Sequence, residues 1–221
     1  MEDTARSDLV KEFDRQVENL LQKAYHRVAG LSVIGFLEHI SPLRDKVVEL
    51  DVTDEVDLEE GRLPFVTVIK SDLVATEKAM SLVEREGKPG LVRLYPLETE
   101  DFRVIEGVAI PGGMAYLLVD IDRGKSSINI RPSDAIKIIE EEGRSPLTID
   151  EGIAIVTQYP EFLMKNHCFS LLASRHAGDQ RVPDIWINAE KKANLGWCWA
   201  GNPHTWLGSA SCGNRLLIAD A

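Results

Sequence analysis

"MAYLLVDID", residues 114–122, decides the fold class. A strand with one buried face alternates apolar and polar residues. This run is almost continuously apolar, which predicts a strand buried on both faces. Upstream, "LPFVTVIK" (63–70) is a second β-rich run. Downstream, "RPSDAIKIIEEEG" (131–143) predicts a helix with Pro132 near its start and Gly143 at its end. "TIDE" (148–151) matches a capping box ahead of "GIAIVTQYPEFL". The last third alternates strand-like pieces with glycine-rich turns: "HCFSLLAS", "VPDIWIN", "GWCWAG" and "LLIA". The class expected is α+β, with a strand-rich, tryptophan-rich C-terminal third.

The N-terminal region has a different period. Leu9, Phe13, Val17, Leu20, Leu21 and Ala24 recur at helical spacing, predicting an amphipathic helix over 4–28 that Gly30 stops. Ser41-Pro42 opens a second helix reaching about Leu50. Residues 1–50 therefore read as a helical hairpin and appendage. The stretch 51–61, "DVTDEVDLEEG", holds six acids in its first ten residues. It reads as a solvated acidic connection, with an α+β domain over 62–221. Inside that domain, residues 74–86 look helical with "GKPG" as the following turn, and "GLVRLYPL" and "FRVIEGVAIPGG" look extended.

Composition limits function. The formal charge is −11, which argues against a phosphate-backbone partner, so no nucleic acid is expected. No apolar run approaches the roughly 18 residues of a membrane span, and "MEDTARSDLV" carries no basic-then-apolar signal. Three cysteines without framework spacing point to reduced thiols and a cytoplasmic location. The long apolar stripe of helix 4–28 raises the expectation of a homodimer.

The chain is 28% charged, yet no charged residue lies between Lys192 and Arg215. Inside that gap sits "GWCWAGNPHTWLGSASCG" (196–213), with three of the four tryptophans and two of the three cysteines. Cys198 and His204 are candidate nucleophile and base. The order differs from papain-like enzymes, whose cysteine lies near the N-terminus and histidine far downstream. "SASCG" lacks the first glycine of a serine-hydrolase elbow. Zinc is a further possibility through His167, Cys168, Cys198, His204 and Cys212, but these lack the paired spacing of zinc sites, and no metal is expected. "RGKS" (123–126) lacks the leading glycine of a phosphate loop. Asp120 and Asp122 share one side of a strand end and could hold Mg²⁺, but a strand end with one capping and one solvated acid is the favoured reading.

Indoles beside glycines and a polar turn suit a ligand pocket. The expected walls are Trp199 and Trp206. Asn202, Thr205, Ser209 and Ser211, with His204, would supply hydrogen bonds. Arg175 or Arg181 would face an anionic group, because guanidinium pairs with carboxylate or phosphate at two points.

"YLLVDIDRG", "GRSPLTIDEGIAIVTQYPE", "SRHAGDQRVPDIWI" and "LGWCWAGNPHTWLGSASCG" resemble an actinobacterial family of uncharacterised proteins. The resemblance covers most of the chain, is strongest from Tyr116 onward, and implies no activity, cofactor or catalytic residue. Three readings stay open: a protein that binds or transforms a small polar metabolite in this segment, an interaction module using its N-terminal helices, and a zinc- or cysteine-dependent enzyme.

Overall fold

The computed structural model describes residues 2–52 and 55–217. Helices and several sheets combine in an α+β fold. Helix α1 (Glu2–Gln22) stops earlier than the apolar period implies, because Ala24 turns into the left-handed region at φ 59°. A single turn, α2 (Tyr25–Val28), follows. Ser32 then accepts the Gly35 N–H at 3.1 Å and starts α3 (Val33–Ile40). Helix α4 (Leu43–Val48) follows Pro42 and is tied back to α1 by Arg44, whose Nε and Nη2 donate to Asp14 at 2.9 and 3.0 Å.

Strand β1 (Arg62–Ile69) leads to α5 (Thr76–Leu82). That helix is shorter than the expected 74–86, because the chain reverses into a small hairpin, β2 (Glu84–Arg85) and β3 (Lys88–Pro89). Glu86 and Gly87 both have positive φ, 50° and 73°, the backbone that a two-residue hairpin turn requires. Of the two extended segments that follow, only β4 (Leu91–Val92) and β5 (Phe102–Val104) are strands. Next come β6 (Ala115–Asp122), α6 (Pro132–Glu141), β7 (Ser145–Pro146) and α7 (Ile149–Gln158). The C-terminal third supplies β8 (Cys168–Ser170), β9 (Ser174–His176), β10 (Arg181–Ile187), β11 (Ala193–Trp199), β12 (Leu207–Ser209) and β13 (Ser211–Leu216). Only the start of "LLIA" is seen, since 218–219 lie outside the described residues.

One sheet runs β1-β6-β13-β7 and is antiparallel throughout. Strand β6 is interior to it and Ala115–Val119 are all buried, which is what the continuous apolar run requires. The outer edge of β1 is covered by a side chain. The Gln16 amide donates to Phe65 O at 3.2 Å and accepts from Thr67 N at 2.8 Å, as a neighbouring strand would. The second sheet runs β12-β8-β10-β11-β4, with parallel pairs at β12–β8 and β11–β4. Helix α7 packs on both: against β1, and through Gly152 against Leu171 and Ile185. A Cβ at position 152 would come within 2.6 Å of Leu171, so only glycine allows this approach. The capping box forms, with Glu151 Oε2 accepting from Thr148 N at 2.7 Å.

One apolar core runs from Phe13, Leu20, Phe36 and Ile40 through Phe65 and Leu117 to Ile153, Phe169 and Ile185. The N-terminal helices and both sheets thus share it. "RGKS" forms a turn in which Arg123 is buried, donating to the carbonyls of Leu58, Glu59 and Phe162. The acidic connection is held there by its backbone. Both carboxylates of "DID" are engaged: Asp120 by Arg144 at 2.5 Å, Asp122 by the Gly124 N–H at 2.6 Å. Among the described residues, no helix is long and apolar enough to cross a membrane.

Candidate binding cleft

The uncharged segment 196–213 does not form one wall. It runs from β11 through a turn and β12 of the second sheet into β13 of the first, and strand alternation sends the β11 residues to opposite faces. On one face, Trp197 and Trp199 meet edge to face with centroids 5.2 Å apart. The Arg181 guanidinium lies over both rings, 4.5 and 4.9 Å from their centroids. Arg181 is also paired with Asp179, and Trp197 Nε1 donates to Leu94 O at 3.0 Å. This cluster ties β10 and β11 to the 94–95 loop, with Arg181 Nε buried without a partner and Trp199 partly open to solvent. Arg175 is half-buried on β9 opposite Arg103, and burial lowers its pKa.

Cys198 points to the other face, toward Asp184, which also neighbours Ser170. Burial and the neighbouring Asp184 push its thiol far above the usual range. Burial likewise raises Cys168 to about 11 and Cys212 to about 12. All three are thiols at neutral pH, not thiolate nucleophiles. His204 packs against Trp206 with centroids 5.4 Å apart and rings tilted by 56°, and no hydrogen bond joins it to Cys198. Desolvation lowers the His204 pKa, so the ring is neutral, and its Nε2 is buried without a partner. Asn202 and Thr205 are exposed, so water satisfies them. Ser209 and Ser211 are buried structural groups: Ser209 N donates to Ser127 Oγ at 2.7 Å, and Ser211 Oγ accepts from Arg144 Nε at 2.8 Å. Among the described residues, no three His, Cys, Asp or Glu side chains converge as metal ligands.

The segment reaches a cleft at one residue, Trp206. There its ring meets Trp186 of β10 edge to face, centroids 6.4 Å apart. The cleft measures about 610 Å³, within the range of small-molecule sites. Three tight turns surround the indoles. The β2–β3 hairpin contributes Arg85. A reversal closed by the Met164–His167 bridge contributes Lys165 and Asn166, the latter at φ 65°. The β10–β11 loop contributes Asn188 and Lys191, the latter at φ 64°. Asn188 shapes this loop by accepting from the Glu190 and Lys192 N–H groups at 2.9 and 3.0 Å. The hairpin docks on the loop: Arg85 Nη1 donates to Lys191 O at 3.3 Å, and Lys88 Nζ to Glu190 O at 2.9 Å.

Trp186 is fixed by a missing side chain. A Cβ on Gly196 would fall 2.1 Å from its Cη2 atom. The indole therefore lies against the bare backbone of β11. Beside it, Asp184 and Asn194 are fully buried, and neither side chain has an oriented hydrogen bond. Burial raises the Asp184 pKa to about 7.

A family model described as "Family of unknown function (DUF5701)" matches residues 19–218. The chain belongs to the DUF5701 family. Neither a curated protein nor a solved structure matches it. The stretch of this DUF5701 chain that the model matches contains both sheets and all the cleft residues named above.

Of the expected site residues of this DUF5701 protein, only Trp206 lines the cleft, with His204 packed against its ring. Trp199, Arg175 and Arg181 lie elsewhere. Sequence reasoning passed over Trp186, Arg85, Lys165, Asn188 and Lys191. One signal for Trp186 was available: it is the fourth tryptophan, in a strand that also carries Asp184 and pairs with the glycine of "GWCW".

Proposed function

We propose that the protein binds a small polar metabolite in the cleft between Trp186 and Trp206. The observation that carries this reading is the paired indoles themselves. Two large apolar rings line an open cleft of about 610 Å³ instead of filling the core, and polar groups from three turns ring them. An apolar wall with a few fixed polar atoms is the usual make-up of a ligand site. The three thiols, each with its pKa raised by desolvation, give no support to a cysteine-dependent reaction. The test is a metabolite screen by thermal shift on the wild type and on Trp206→Ala. Ligands that stabilise the first and not the second support the cleft. Hits indifferent to Trp206 and to Trp186→Leu, or an empty screen, overturn it.

A second reading, docking or self-association through the N-terminal helices, is favoured by Ile34, which is 73% exposed beside exposed Val33 and Val28. Light scattering on the wild type and Ile34→Asp tests it. A dimer that Ile34→Asp dissociates supports this reading, and a monomer at micromolar concentration overturns it.

A further inference from the structure

We infer that the ligand of this cleft is a flat ring bearing a carboxylate or phosphate, its anionic end held by Arg85, Lys165 and Lys191. This rests on the cleft being a ligand site, and it adds the chemistry of the ligand. The chain carries 36 acids against 25 lysines and arginines. Around the two indoles the balance reverses: three cations face one acid, Glu86, which is already paired with Arg85 at 2.9 Å. Among the described residues, neither Lys165 nor Lys191 is in an ion pair. Unpaired cations gathered beside an apolar floor in an acidic protein attract a soluble anion and repay its desolvation.

The unpartnered groups at the cleft have one polarity. Arg85 Nε and Asn188 Nδ2 are buried without a partner, and both are donors. The acceptor side of Asn188 is spent on its own loop, and Arg85 Nη1 on Glu86 and Lys191 O. What these residues have left to offer is N–H. A small rotation of either side chain brings it to an acceptor oxygen, and a guanidinium edge pairs with carboxylate or phosphate at two points. Such a group removes the cost of an unmet buried donor. The ring specification comes from the walls: the edge-to-face indoles leave the Trp206 ring beside an open slot, where a planar partner stacks.

The test uses the full chain, its four indole N–H signals followed by two-dimensional NMR and assigned through Trp186→Phe and Trp206→Phe. The probes are phenyl phosphate, phenol and inorganic phosphate. Phenyl phosphate is expected to shift the Trp186 and Trp206 signals and to bind more tightly than either fragment. The Lys165→Gln/Lys191→Gln double variant, on exposed turns and therefore folded, is expected to weaken it at least tenfold while leaving phenol unchanged. Phenol binding as well as phenyl phosphate, or no loss in the double variant, overturns the inference and leaves the cleft reading intact. No binding of phenyl phosphate overturns it too. The cleft reading is judged separately, by whether the metabolite screen returns hits that Trp206→Ala removes.

Discussion

Arg215 holds Glu151 at two points, Nε to Oε1 at 2.5 Å and Nη2 to Oε2 at 3.0 Å, joining β13 to the first turn of α7. Glu151 is fully buried and also accepts from the Tyr116 hydroxyl at 2.8 Å. Arg215→Met leaves that carboxylate buried without its counter-ion. Breaking one side of such a pair costs about 3–5 kcal/mol. Urea unfolding at pH 7 is expected to show a loss of this size. A loss under about 1 kcal/mol would mean that water replaces the guanidinium.

Asp184 sets a pH dependence of opposite sign to that of a paired carboxylate. Its pKa is about 7 in the folded chain, raised from 3.8 by burial. Between those values the folded state holds a proton that the unfolded state has released. Its contribution is therefore full below about pH 4 and is lost as pH rises to about 7, by about 4 kcal/mol. Asp184→Asn keeps the shape and removes the titration. The stability difference, variant minus wild type, is expected to grow across that window in favour of the variant. A flat difference curve would show that Asp184 is ionised and solvated throughout.

Gly196→Ala places a methyl group where the Trp186 ring lies. Overpacking of this kind costs about 1–3 kcal/mol. Because the indole must move, near-ultraviolet circular dichroism is expected to change together with the melting temperature. An unchanged aromatic spectrum would mean that the backbone yields instead.

Limited proteolysis is expected to cut first within 51–61, the acidic connection, before any site in 114–160. The N-terminal helices are expected to stay bound after the cut, since Phe13 and Leu20 sit in the shared core and Gln16 bonds β1. Gel filtration of the nicked protein under native conditions checks this: co-elution of both fragments supports the shared core, and separation contradicts it.

The elements that were legible in the sequence have local causes. The apolar run of β6, Pro132 opening α6 and the Thr148–Glu151 box are each written in a few adjacent residues. The short hairpin was not legible, since its strand β2 (Glu84–Arg85) and Glu86, at positive φ, fall inside a stretch of helical period. The cleft was least legible. Its lining comes from three turns far apart in the chain, joined by backbone contacts such as Arg85 to Lys191 O that no spacing rule encodes. The tryptophan-rich stretch drew attention to the right sheet. Strand alternation put Trp197 and Trp199 on one face of β11 with Arg181, and Trp206, in the turn before β12, reached the cleft.

Strand β6 pairs with β1 on one side and with β13 on the other, and β13 is the last strand described. On the ribosome, Ala115–Asp122 emerges long before Ser211–Leu216. Throughout that interval a strongly apolar strand has one row of amide and carbonyl groups without its final neighbour. Such an edge pairs readily with any extended chain nearby. Synthesis of residues 123–210 is thus a vulnerable period, and a nascent-chain chaperone that covers β6 would raise the yield of folded protein without touching its final stability.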